Sequence, residues 1–525
     1  MHRRHLLQLA IAASSASALP RWAQSATLRP RSNPFALGVA SGAPDHEGFV
    51  LWTRLVAGPG EALQGAHQVR WEIAEDEAFR RIVRSGQSPA LPELGHAVHV
   101  EVQGLAPDRW YCYRFMLGDA VSPVARARTM PAPQVLAARL RFGFASCQRW
   151  EHGYYAAWRH LVADQPDLVL FLGDYIYEYA MPRNPRQALA RSQPLRRAQT
   201  LADYRERYAL HKSDLDLQAA HHACPWIVTW DDHEVENDYA GLNGMAAPAD
   251  FLAQRNAGYQ AFYEHMPLRA SALVHGLGGL GRLDGVRVHE RYAFGRLARF
   301  HVLDTRQFRD IQACRSPGTP AQGAVRADAC PALDDPARSL LGPQQEAWLD
   351  AGLAQDARDG ATRWSVLTQQ TLFSPRHYGA AGRGPTPTDC WDGYPAARAR
   401  LLGSIARQAP RNPVFVGGDI HQNYVCNVHA DSKRNDTPVV ASEFCGTSIT
   451  SYSGATQQKV DALVQRNPQV LFANCEKRGY ALVDLSPTRW QTTLRAVDDP
   501  LRADSGISTL AQFVVEDGRA GVIRA

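Results

Sequence analysis

Residues 168–178 read Leu-Val-Leu-Phe-Leu-Gly-Asp-Tyr-Ile-Tyr-Glu. A short apolar run, Leu168–Leu172, stops at Gly173 and gives way to Asp174, Tyr177 and Glu178. Its length and composition suit a strand buried on both faces, and the turn after it carries oxygen donors.

The same grammar recurs four times. Leu140–Ala145 runs into Ser146-Cys147-Gln148. Trp226–Thr229 ends in Trp230-Asp231-Asp232-His233-Glu234, with Asn237-Asp238 close behind. Phe300–Leu303 ends in Asp304-Thr305-Arg306, and Val414–Val416 in Gly417-Gly418-Asp419-Ile420-His421. Helical stretches such as Tyr154–Asp164, Leu201–His211 and Pro343–Gln355 lie between several of the strands. Strands alternating with helices predict layered α/β structure. Ligand sites in open α/β sheets lie outside the carboxyl ends of strands, so five such endings should converge on one cleft. Two glycines before Asp419 let the backbone turn sharply and approach an ion.

Taken singly, each residue has an ordinary structural reading. An Asp after a strand usually caps a helix or forms a turn. A Cys there is usually a small core residue, and His421 alone fits a satisfied core histidine. Repetition outweighs these readings, because chance would have to produce the pattern five times.

Upstream, Phe35–Thr129 reads as strands, among them Gly48–Thr53, Val69–Ile73, Ala97–Val102 and Trp110–Leu117. Leu105-Ala106-Pro107-Asp108-Arg109-Trp110-Tyr111, followed by Tyr113, has the spacing of the tyrosine corner in Greek-key sandwiches. A small immunoglobulin- or fibronectin-like domain is expected over 34–130, with Met130-Pro131-Ala132-Pro133 as linker and the α/β part over 138–525. At the start, Arg3-Arg4, a mostly apolar Leu6–Leu19 and small residues around Ala23-Gln24-Ser25 form a signal peptide over 1–25. The paired arginines resemble a twin-arginine signal; a chance pair in a general secretory signal is the alternative. Either way a periplasmic or secreted location is expected, and the first reading makes the twin-arginine export machinery a partner.

Composition narrows the classes. The chain is 45% hydrophobic and 21% charged, ordinary for a soluble globular protein. No apolar run reaches the ~18 residues of a membrane span. Without Arg3, Arg4 and Arg21, the 57 Lys and Arg fall to 54 against 52 Asp and Glu, a net +2. That excess predicts neither specific nucleic-acid recognition nor an anionic membrane surface. Of nine cysteines, Cys314 and Cys330 bracket a Pro/Gly-rich loop and are the expected bridge. No partners are assigned to Cys112, Cys224, Cys390, Cys426, Cys445 and Cys475, and Cys147 is set apart as a donor.

G-D-Y-I-Y-E, W-D-D-H-E-x-E-N-D, L-D-T-R-Q-F-R and G-G-D-I-H, in that order, resemble the PhoD-type alkaline phosphatase and phosphodiesterase family of the metallophosphatase superfamily. The resemblance covers most of the chain. It implies a four-layer α/β/β/α sandwich with metals between the sheet ends, namely an iron(III) ion together with calcium. One departure stands out: where dinuclear metallophosphatases commonly offer Asp-x-His, this chain offers Ser146-Cys147-Gln148.

The residues fit that chemistry. Hydrolysis of a phosphate ester by in-line attack needs cations that activate water and hold the attacking and leaving oxygens. Asp174 is placed to bridge two ions. Tyr177, as a phenolate, suits trivalent iron, and Cys147 would supply a thiolate. Asp419 and His421 alternate in one loop, so both reach the cluster. Asp232 and Asn237 offer oxygen ligands of the kind calcium takes. His233 is expected to donate to phosphoryl oxygens or to protonate the leaving group. Arg306 is expected to clamp the phosphate. Trp391, in Trp391-Asp392-Gly393-Tyr394, either borders the cleft or packs on its own loop's aromatics. Small-molecule phosphate esters, monoesters and/or diesters, are the expected substrates; diester hydrolysis of the phospholipase D type, on phospholipid or polymer diesters, competes with monoester hydrolysis.

Other chemistries lack support. Gly276–Gly281 matches G-x-G-x-x-G, but Val286–Phe294 beyond it alternates like a strand, not the helix a dinucleotide site needs. G-x-S-x-G, H-E-x-x-H and a P-loop are all absent from the sequence. A secreted, non-catalytic binding protein that holds metal structurally and recognises a polymer is the remaining alternative.

Overall fold

Along Leu140–Ala145, Leu140, Phe142 and Phe144 point to one face of a sheet, while Gly143 and Ala145 point to the other. The first face meets a second sheet and the other meets helices, and this division runs through the whole α/β part. The structure is a computed structural model that describes residues 32–525 apart from 59, 183–186, 274–285, 359–361 and 380–383. The signal segment and Gly276–Gly281 lie outside the described residues.

The first sheet has ten strands. Its centre is parallel: Leu140–Ala145, Leu168–Phe171 and Trp226–Val228. On one side it continues through the antiparallel strands Gly479–Leu485, Arg489–Val497, Ile507–Glu516 and Ile523–Arg524. The second sheet has seven strands, with a parallel centre of Ala298–Val302, Trp364–Thr368, Pro413–Gly417 and Val439–Cys445. Between the sheets lie Phe142, Leu170, Ile227, Phe300, Val366, Val416 and Trp490. Phe142 meets Phe300 and Trp490 edge-on at 5.4 and 5.5 Å, tying the layers together. Each large apolar side chain sealed there contributes roughly 1.5–3 kcal/mol.

Helices Ala156–Ala163, Leu201–Lys212, Leu215–Ala223 and Pro248–His265 cover the outer face of the first sheet. Gly342–Arg358 and Pro395–Gln408 cover that of the second. This is the expected four-layer α/β/β/α sandwich. Gly143 is required by one of these contacts, since a Cβ there would lie 2.6 Å from Leu161.

The amino-terminal sandwich pairs Val39–Gly42, Phe49–Arg54 and Ala97–Val102 against a five-stranded sheet that contains His67–Ala74 and Trp110–Leu117. Phe49, Leu51, Ile73, Val100, Tyr113 and Phe115 fill its core. The tyrosine corner is present: the Tyr111 hydroxyl accepts the Ala106 N–H at 3.1 Å. The boundary with the α/β part is closer than a linker. Val39–Gly42 runs parallel to Trp226–Val228 and makes the sandwich an extension of the first sheet. Gly42 permits this, because a Cβ would lie 2.6 Å from the Trp226 carbonyl oxygen. Met130 is itself buried in the inter-sheet core.

Candidate metal centre

Five strand ends open onto one cleft, and Gln370 ties two of them together, those at Thr229 and Leu303. Its side-chain nitrogen donates to Thr229 Oγ1, the Trp230 carbonyl and the Leu303 carbonyl at 2.8–3.0 Å. Its oxygen accepts from the Thr305 hydroxyl at 2.8 Å. Glu234, fully buried, ties the Asp174 loop to the Asp231 loop by accepting the backbone N–H of Asp174, Tyr175 and Asp231 at 3.1, 2.6 and 2.8 Å.

Cys147, Asp174, Asp419 and His421 all adopt left-handed backbone, with φ of 59°, 58°, 66° and 55°. Such angles are uncommon outside glycine, and their clustering marks a site where geometry is bought with strain. The glycines beside them act by close approach. A Cβ on Gly173 would lie 2.4 Å from Asp231, one on Gly417 would lie 2.2 Å from the Thr371 carbonyl oxygen, and one on Gly418 would lie 2.3 Å from Ser146 Oγ.

Ligand atoms of Cys147, Asp174 and His421 lie within 4.8 Å of one another. The Tyr177 hydroxyl joins them, 2.9 Å from Asp174 Oδ2 and 3.2 Å from His421 Nε2. Burial and Arg478 push His421 down to about 3, so its ring is neutral. Its Nδ1–H donates to the Tyr452 carbonyl at 2.8 Å, which leaves the Nε2 lone pair aimed at the group.

Three further groups overlap: Asp174 with Asp232 and His233, Asp231 with Asp232 and Asp419, and Asp232 with Asp238 and Asp389. Asp174 and Asp232 are the shared members, as ligands between neighbouring ions would be. Burial and mutual repulsion push Asp174 and Asp231 well above the usual carboxylate range. Buried oxygens Asp231 Oδ2 and Asp232 Oδ1 have no hydrogen-bond partner. Orphaned carboxylate oxygens in an over-charged pocket are what bound cations would satisfy, so these residues fit a multi-metal site.

His233 donates from Nδ1 to the fully buried Glu178 at 2.7 Å, and Glu178 also pairs with Arg197 at 2.8 Å. Burial opposes a charge on His233, yet Asp232 and Glu178 together hold it above the ordinary imidazole value. Its Nε2 is left for the cleft.

Three expected residues have notable surroundings. Arg306, the expected phosphate clamp, is buried among carboxylates. Its Nε donates to Asp231 and its Nη1 to Asp389 at 2.6 Å, with Asp419 and Asp232 at 3.6 and 3.8 Å. Desolvation makes such a guanidinium a charge-balancing partner before it is a substrate ligand. Trp391 does not line the cleft. It is buried in the outer core against Phe373, and its ring N–H donates to Gln369. Two residues earlier, Asp389 is the loop residue that reaches the site. Asn237 is exposed, and its backbone N–H is held by Glu178. The next residue, Asp238, with φ 55°, turns into the acidic group.

Asp231, Asp238, Asp389 and Glu234 are thus members that sequence reasoning missed. Three of them sit inside the W-D-D-H-E-x-E-N-D motif, which was the available signal. Asp389 had none. The bridge Cys314–Cys330 forms as expected, while the other seven cysteines are free and buried.

The sequence model described as PhoD-like phosphatase matches residues 142–494, and that of the PhoD-like phosphatase N-terminal domain matches 21–131. Alkaline phosphatase D of Bacillus subtilis (strain 168) is 40% identical over 504 residues, 94% of this chain and 82% of the relative. A solved structure titled "Structure of PhoD" superposes with a TM-score of 0.87 at 39% identity, covering 95% of this chain and 93% of that one.

Proposed function

This chain belongs to the PhoD-like phosphatase family and is a phosphoric ester hydrolase, and we propose that it acts outside the cytoplasm on phosphate monoesters and diesters with iron(III) and calcium. The observation that carries the metal assignment is the division of the donor set. Cys147, Tyr177 and His421 with Asp174 mix thiolate, phenolate, imidazole and carboxylate, a set suited to iron. Asp232, Asp238 and Asp389 are all carboxylates, the hard oxygen donors calcium takes.

When bound, the ions supply the activation of water and the charge neutralisation that in-line displacement at phosphorus needs. The chain's own residues do the rest. Asp174 and Asp232 fix the spacing between neighbouring positions. Arg306 keeps the carboxylates from repelling one another apart. Glu178 takes the Nδ1–H of His233 and, with Asp232, favours the imidazolium, whose Nε2–H then serves the leaving oxygen. Thr371 steadies Asp419 by donating to Oδ2 at 2.7 Å.

Turnover of a chromogenic monoester and a chromogenic diester, with and without chelator, tests this reading. Chelator-sensitive hydrolysis with bound iron and calcium is expected. Full activity after complete metal removal would refute it. Export is supported by the Arg3-Arg4 signal and by the disulfide, which suits an oxidising compartment. Replacing Arg3-Arg4 with Lys-Lys should abolish export, and an unchanged periplasmic yield would count against the twin-arginine route.

A further inference from the structure

The substrate's own charge still needs a partner. Arg306 is committed to carboxylates, Arg309 to Asp389, and Arg197 to Glu178 and Glu236. Arg478 donates to the backbone carbonyls of His421, Cys475 and Lys477.

Arg149, two residues beyond Cys147, is different. Its backbone is fixed from both sides: the N–H donates to Ser451 Oγ at 3.1 Å, and the carbonyl accepts from Thr450 Oγ1 at 2.7 Å. Its guanidinium lies 3.9 Å from the centre of the Tyr177 ring and 4.5 Å from that of Tyr179. Nη1 donates to the Tyr179 carbonyl at 3.2 Å. Among the described residues the acid in ion-pair range is Glu151, at 3.6 Å. That carboxylate already accepts the Met181 N–H at 2.9 and 3.1 Å, and burial pushes it above the ordinary range. Arg149 is only 3% exposed, yet none of its side-chain nitrogens is among the sealed, unpartnered atoms of the described residues. The guanidinium thus lies over a ring whose hydroxyl reaches the metal group, 2.9 Å from Asp174 Oδ2. The Tyr177 ring beneath the guanidinium packs against His233 at 4.1 Å, tilted by 36°.

We propose that Arg149 holds the third non-bridging oxygen of a phosphate monoester dianion and so sets the preference for monoesters over diesters. The inference deepens the phosphoesterase reading and rests on it. A monoester dianion has three non-bridging oxygens and two charges. A diester has exchanged one of those oxygens for an ester oxygen and carries one charge. A guanidinium fork matches anionic phosphoryl oxygens in geometry and charge. Stacking between two tyrosines pre-orients it, so little side-chain entropy is lost on binding.

The metal-loaded enzyme and its Arg149→Met and Arg149→Lys variants would be assayed on p-nitrophenyl phosphate and bis(p-nitrophenyl) phosphate, with bound metal counted. Arg149→Met should lose monoester kcat/KM by about 10²-fold and diester kcat/KM by no more than about fivefold, as expected for removal of one oxyanion donor. Metal stoichiometry should not change. Equal losses on both esters, loss of metal, or no loss at all would make Arg149 a packing partner of Tyr177 and overturn the proposal. If Arg149→Met does not fold, Arg149→Lys decides. It keeps the charge but not the fork, so the monoester-to-diester ratio should fall about tenfold, and an unchanged ratio overturns the proposal. A wild-type enzyme that hydrolyses neither ester would instead sink the phosphoesterase reading.

Discussion

At the end of the cleft built by Cys147, Tyr177 and His421, donors of three chemistries meet beside Asp174, and three of these four residues have left-handed backbone. At the end built by Asp231, Asp232, Asp238 and Asp389, the donors are carboxylates, and Arg306 and Arg309 sit among them as counter-charges. The first end is organised by geometry, with strain holding unlike atoms on one point. The second is organised by charge balance, with guanidinium groups standing between carboxylates. Ligand type selects the metal at the first, and the number and charge of oxygens select it at the second.

The largest effect should follow from the residue that links the two ends, Asp174, which groups with Cys147 and His421 on one side and with Asp232 on the other. Asp174→Ala should cut turnover by about 10³-fold, the scale of losing preorganised electrostatic stabilisation, while the melting temperature stays close to wild type. Activity within a few-fold of wild type would remove Asp174 from the site. Asp389→Asn strikes only the carboxylate end. It should lower activity by about 10–100-fold and release the hard cation while iron is retained, as read by metal analysis. Loss of both metals together would erase the distinction between the ends.

The smallest effect on chemistry should come from the disulfide. Gln312 and Arg315, beside Cys314, donate to the Asp238 carbonyl at 2.8 Å, and Gln312 also reaches Asp389 at 2.9 Å. The 16-residue separation of Cys314 and Cys330 predicts about 3 kcal/mol of destabilisation in the double alanine variant, from loop-closure entropy. Its activity on loaded enzyme should change little. A melting temperature equal to wild type would show that the bridge constrains nothing.

Much of this was legible in the sequence because strands end where apolar runs meet polar turns. Ala97–Val102, Trp110–Leu117 and Leu140–Ala145 were readable to the residue. Helix Pro248–His265 was not, because its buried face includes Gln254, Arg255, Glu264 and His265, so no apolar stripe announces it. Asp389 was hidden for a different reason. It follows Thr386–Pro387, a two-residue strand that pairs with Ala324–Val325, a contact made only in three dimensions. Arg306 was visible, but its surroundings were not: sequence shows a cation near acids, and only the structure shows it buried and paired with Asp231 and Asp389. The sandwich was readable from its alternation and its tyrosine corner, while its fusion to the first sheet rests on the pairing of Gly42 with Trp226.

The central claim is that the two ends hold different metals, and a visible spectrum with metal stoichiometry on wild type and Tyr177→Phe tests it most directly. Phenolate and thiolate bound to iron(III) give charge-transfer absorption, so wild type, purified without chelator, should be coloured and contain iron and calcium. Tyr177→Phe removes only the hydroxyl that lies 2.9 Å from Asp174 and 2.7 Å from Ser451. Its visible band should shift or vanish and its activity should fall, while calcium stays bound. A colourless, iron-free and fully active wild type, or a Tyr177→Phe variant with unchanged spectrum and turnover, would contradict the account.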